Sequence, residues 1–163
     1  MPEKKTLERA RADKRAGKSP STQAGEFVRE EVHHIREGKH GAESTKQAIA
    51  IGLSKARRAG VDLPPPPKDA TERTKESAES AVRRRGKKVS AKRSRAMRRV
   101  LKREGHAAAS KKSLSRQAKS AARRRSAADR SRTAKKAART KGAAGRKAAA
   151  RKAARTRARR ASR

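Results

Sequence analysis

The sequence predicts an all-α protein: a small helical hairpin followed by a largely disordered or conditionally helical basic tail. Two observations carry this. Large apolar residues recur at helical spacing before the prolines Pro64 to Pro67 and grow sparse after them. Charge does the opposite: residues 1–67 hold 14 Lys+Arg against 9 Asp+Glu, whereas residues 68–163 hold 37 against 6. A length of 163 residues suits one domain, but 31% hydrophobic content with one Phe, no Tyr or Trp and a net charge of +36 cannot fill one.

Residues 1–18 are read as a short N-terminal helix, from Thr6 to Ala16. Residues 19–63 are read as the hairpin. Its first helix opens at Ser19 and Pro20, an N-cap followed by a first helical position. Ala24, Phe27, Val28, Val32 and Ile35 then share one face, and Gly38 and Gly41 stop it. In the second helix Ser44 and Gln47 have capping-box spacing. Ile49, Gly52, Leu53 and Ala56 form its stripe, Gly60 ends it, and Val61 and Leu63 fold back over that end. Ile51 lies off the stripe, read either as an exposed residue or as a contact with a second chain or the N-terminal helix. With about eight large apolar side chains, such a hairpin is marginal without a staple or partner.

Residues 64–68 are a stiff polyproline spacer. Residues 69–105 read as basic amphipathic helices, with Glu79 and Arg83 at i, i+4 and with Ala96, Met97, Val100 and Leu101 on one face. Residues 106–163 form an Ala/Arg/Lys-rich tail of low complexity, in which "KKAART" at 135–140 recurs as "RKAART" at 151–156. Ala, Arg and Lys favour helix, but like charges repel and no core offsets the lost chain entropy. The tail is therefore expected to gain helix when phosphates neutralise it.

Such a density of cations binds phosphate backbones by releasing condensed counterions. The candidate nucleic-acid contacts are Lys46, Arg57 and Arg58 on the hairpin, and Arg83, Arg84 and Arg85 beyond the spacer. In the tail they are Lys111, Lys112, Arg123, Arg124, Arg125, Lys135, Lys136, Arg139, Arg146, Lys147, Arg151, Lys152, Arg155, Arg157, Arg159 and Arg160. No aromatic residues interleave with them to stack bases, which favours duplex over single strand. The hairpin is similar in outline to a helix-turn-helix, but the chain has no Asn, a common adenine reader, so sequence-independent binding is the stronger reading.

Other chemistry is expected to be absent. With no Cys there are no disulfides or thiolate metal sites. "MPEKKTLERA" lacks the apolar region of a signal peptide, and no stretch approaches a membrane span. "AGKS" at 16–19 echoes a P-loop, but Ala12 stands where that loop needs Gly. His33, His34 and His40, with Glu30, Glu31 and Glu37, could suggest a metal, but His33 and His34 are adjacent and diverge by about 100° on a helix, so they are read as surface histidines and no metal site is assigned. Nothing could bury a catalytic triad; no enzyme and no cofactor are expected.

The stretch from "STQAGEFVREEVHHIREG" through "KQAIAIGLSKARRAGVDLPPP", residues 21–66, resembles a small uncharacterised bacterial domain family. Its marks are a Glu-rich helix, a Gly/Lys/His loop and the "KQAIAIGLSKARRAG" helix. Members with Ala/Lys/Arg-rich tails carry labels such as DNA-binding or plasmid stabilization protein, and that role is what the resemblance implies. The tail is separately similar to histone-like and linker-histone tails, though it favours Arg and has no Pro after Pro67. The expectation is a cytoplasmic, nucleoid-associated protein that binds duplex DNA. The alternatives are an RNA- or ribosome-associated protein, or a protein-interaction hairpin with a localising tail. A homodimer or protein partner through residues 19–63 stays open.

Overall fold

A computed structural model describes residues 2–162. The described residues form seven α-helices and a 3-10 turn at Ala107–Ala109, with no strand. They are α1 (Lys4–Arg15), α2 (Pro20–Arg36), α3 (Thr45–Arg58), α4 (Glu72–Arg83), α5 (Ala91–Arg103), α6 (Lys111–Arg123) and α7 (Ala127–Ala161). Among them no helix is long and apolar enough to cross a membrane. The chain divides into two compact units, residues 1–117 and 118–163.

In the first unit α2 and α3 form the expected hairpin, and α1 packs on α2. Pro20 opens α2 after Ser19, and Ser44 caps α3 by accepting from the Gln47 backbone N–H at 3.2 Å. The reciprocal arm reaches one residue further than expected: Gln47 Oε1 accepts from Glu43 N–H at 2.8 Å. Gly60, at φ 97°, follows α3. "AGKS" lies between α1 and α2, so no strand precedes it.

Two apolar clusters flank the hairpin's middle. One gathers Ala10, Ala24, Phe27, Ala56 and Val61, with Leu7, Leu53 and Leu63 packed against it. The other gathers Ile35, Ala42, Ala48, Ala108 and Ala109, with Val32 against it. Early α2 thus shares a cluster with late α3, and late α2 with early α3, so the helices run antiparallel. Phe27 and Ile35 are fully buried. The α3 stripe is rotated from the expected one: its buried residues are Thr45, Ala48, Gly52 and Ala56, whereas Ile49, Ile51 and Leu53 are half-buried. Small residues on the contact face let the helices approach closely. A Cβ on Gly52 would lie 2.7 Å from Val28 Cα and 3.0 Å from Val28 N. Gly52→Ala is expected to force the helices apart and cost about 1–3 kcal/mol, read as a lower urea midpoint.

Residues 101–110 dock on the α2–α3 turn, a long-range closure absent from the sequence reading. Gly41 N–H donates to the Leu101 carbonyl at 2.8 Å, and Ala42 N–H to that of Gly105 at 3.1 Å. Thr45 Oγ1 donates to the Ala108 carbonyl at 2.6 Å, and Arg36 Nε to that of Ala109 at 2.9 Å. The approach requires glycine at 41, where a Cβ would overlap the Glu104 carbonyl. Of the predicted α5 face only Leu101 is buried; Met97 and Val100 remain more than half exposed.

The expectation of a largely disordered tail is corrected. Residues 107–161 are mostly helical, in the 3-10 turn, α6 and α7. Ala, Lys and Arg lose little side-chain freedom in a helix, and neither Pro nor β-branched runs interrupt them. In the second unit α7 bends at Gly142 (φ 64°, ψ 174°), while Gly145 continues the helix.

Candidate nucleic-acid interface

The 22 candidate cations fall into two environments. Those near the end of α3 are partly committed to the fold. Arg57 is half-buried, and its Nη2 donates to the Pro64 carbonyl at 3.1 Å. Burial lowers its pKa from the usual guanidinium value, although arginine remains charged at neutral pH. Arg58 is half-buried, and its carbonyl accepts from Gly86 N–H. Arg85 donates to the Gly60 carbonyl and to Asp62 Oδ1, the latter at 2.7 Å, and this bond holds the Asp62 carboxyl below its usual pKa. Guanidinium groups here complement the negative end of α3 and strap α4 to it. Arg83 pairs loosely with Glu79 at 3.6 Å, and Arg84 is exposed, as is Lys46 early in α3.

The tail cations are exposed. Lys111 and Lys112 open α6 and Arg123, Arg124 and Arg125 close it, all exposed. On α7 Lys135, Lys136, Arg139, Arg146, Lys147, Arg151, Lys152, Arg155, Arg157, Arg159 and Arg160 are likewise exposed. Lys147, Arg151, Arg155 and Arg159 recur every fourth residue, a stripe with one cation per ~6 Å of helix. Arg146 Nη1 donates to the Ala138 carbonyl at 2.6 Å and braces the bend at Gly142.

The tail's one acid, Asp129, opposes none of this. Ser126 caps α7 by accepting from Asp129 N–H at 3.1 Å and donates to its Oδ2 at 2.8 Å, while Arg132 pairs with Oδ1. These bonds, Arg132's first, lower the Asp129 pKa. A depressed carboxylate stabilises the folded form at neutral pH and loses that effect only as pH falls through the folded value, below the ordinary ~3.9. The cap therefore persists wherever DNA binding would be measured.

A second charged cluster lies inside the hairpin, and its link from α2 to Lys55 of α3 has no place in the sequence reading. Glu30 and Glu31 are buried on α2, and Lys55 of α3 reaches both, at 3.4 Å and 2.5 Å. Glu30 Oε2 also accepts from Glu3 N–H at 3.1 Å, tying the start of α1 to α2. The sequence signal was the i, i+3 and i, i+4 placement of Val28 and Ile35 around Glu31, which carries Glu31 onto the packed side of α2.

Residues 11–68 match a family of unknown function (DUF6496). The match encloses the stretch at 21–66 and runs from within α1 to the end of the proline spacer; it carries no DNA-binding or plasmid role. No curated protein and no solved structure matches the chain.

Proposed function

We propose that the chain is a non-enzymatic, nucleoid-associated protein that binds duplex DNA without reading its sequence. Its C-terminal helices neutralise phosphates, and its N-terminal unit is the folded anchor that carries them. The observation that supports this reading is α7: 35 residues with no buried side chain, fourteen Lys+Arg and one Asp. Nothing in that helix serves a core, and its charge density suits a polyanion. The ~12 Å major groove of B-DNA admits a helix, whereas the deep major groove of duplex RNA does not.

The test is competition. Two unrelated duplexes of equal length are expected to bind the full chain within a few-fold of each other, far from the ~10³-fold or greater preference of a specific reader. A strong preference for one duplex, or for structured RNA over both, would overturn this function.

A further inference from the structure

We propose that Glu31, His34 and His40 form a zinc site that joins α2 to the loop before α3. One donor atom from each lies within 4.8 Å of the other two. Glu31 and His34 stand three residues apart on α2, an Glu-x-x-His spacing that places both side chains on one helix face. His40 comes from the loop beyond Gly38. The sequence names His33, His34 and His40 together with Glu30, Glu31 and Glu37, and sets a metal aside because His33 and His34 diverge; the fold brings His34 to His40 without His33, which turns instead to Glu37 at 3.0 Å.

The chemistry of each group fits. His40 Nδ1 lies 3.0 Å from the Gly41 carbonyl, an acceptor only, so Nδ1 carries the proton and Nε2 keeps its lone pair in the neutral ring. That lone pair faces Glu31 Oε1 at 3.2 Å. Two acceptors at this distance call for a cation between them or for a charged imidazole. The distance is also close to the ~3.3 Å edge of a tetrahedron built on zinc bonds of about 2.0–2.1 Å. His34 Nε2 meets Glu3 Oε1 at 2.8 Å, leaving that ring one lone pair as well. Imidazoles that give one nitrogen to an oxygen acceptor and the other to metal are the usual arrangement of zinc ligands.

Burial and charge agree. The Glu31 side chain is 1% exposed, and those of His34 and His40 13% and 12%. Glu31 Oε2 has no aligned hydrogen-bond donor; Lys55 touches it as an ion pair only. Beside the site Glu3 and Glu37 pair with Lys39, and Glu30 and Glu31 with Lys55. Two imidazoles and a carboxylate select zinc over calcium or magnesium, which prefer all-oxygen shells. The ion would act as the staple that so small a core lacks.

Zinc titrated into the full chain, without DNA, is expected to bind at one ion per chain and to raise the thermal midpoint of the N-terminal unit. His34→Gln and His40→Gln are each expected to weaken binding beyond the ~10–100-fold that loss of an outer acceptor causes, and Glu3→Ala, which removes the acceptor of the His34 ring, by that ~10–100-fold. His33→Gln is expected to leave affinity unchanged. Cobalt(II) held by the three side chains with water as its fourth ligand should give the intense visible absorption of a four-coordinate ion, absent in His40→Gln. Wild-type affinity in a His40→Gln chain that keeps its helical circular dichroism overturns the proposal, as does loss of binding in His33→Gln. Should His40→Gln fail to fold, Glu3→Ala decides: the stated drop supports the site, and unchanged affinity removes it.

Discussion

A chain ending at residue 117 is expected to lose most of its affinity for duplex DNA and most of the salt dependence of what remains. The deletion removes 19 Lys+Arg and a single Asp. Each phosphate contact contributes about 0.9 to the slope of log K against log salt, and 6–10 contacts change affinity by about 10³–10⁵ between 50 and 200 mM salt. If roughly half of the deleted cations touch phosphate, the full chain falls in that range and the truncated chain well below it. Of the candidate contacts the exposed Lys46, Arg84, Lys111 and Lys112 remain, and exposed α5 cations such as Arg95, Arg98 and Arg99 supply the residual binding, whereas Arg57 and Arg85 are engaged by the Pro64 and Gly60 carbonyls. An equal slope for both chains would place binding on the first unit and defeat the proposed division of labour.

Phe27→Ala is expected to unfold much of the first unit. Phe27 is 1% exposed at the centre of the cluster that joins α1, α2 and the end of α3. Truncating a buried Phe costs about 3–5 kcal/mol, comparable to the whole stability of a small domain. Circular dichroism should show loss of the cooperative transition, while duplex binding stays near that of the parent chain because the tail keeps its cations. Ile35→Ala, in the other cluster, should cost about 2–5 kcal/mol. A Phe27→Ala chain that melts like the parent would show that this cluster does not hold the unit together.

Local signals in the sequence were legible where they act on neighbouring residues. Ser19–Pro20, Ser44 with Gln47, and Gly60 mark helix ends through bonds within a turn or two, and the structure places the ends there. The apolar stripe of α2 was legible because Phe27 and Ile35 are large. That of α3 was displaced because its contact face is made of Ala48, Gly52 and Ala56, which contribute little to any hydrophobic pattern. The docking of residues 101–109 depends on the carbonyls of Leu101 and Gly105 meeting the Gly41 and Ala42 amides, and those of Ala108 and Ala109 meeting Thr45 and Arg36, across about sixty residues or more, and no local spacing encodes it. Tail helicity follows from propensity; charge repulsion led to the opposite expectation. For the candidate interface, residue identity was legible, but the commitment of Arg57 and Arg85 to carbonyls was not. His40 was named beside His33, His34 and the nearby acids, but it stands six residues from His34 in a loop, so no helical spacing picked out the group Glu31, His34 and His40.

The seam between residues 101–109 and the α2–α3 turn separates two kinds of module. The segment that recurs among proteins ends at Lys68, whereas the segment that closes its own backbone bonds runs some forty residues further. Cut at the recurrent boundary, the chain would keep both long helices yet leave the Gly41 and Ala42 amides, the Thr45 hydroxyl and the Arg36 guanidinium facing water, with Ile35 and Ala48 stripped of their alanine cover. Inheritance and cooperativity therefore have different endpoints here.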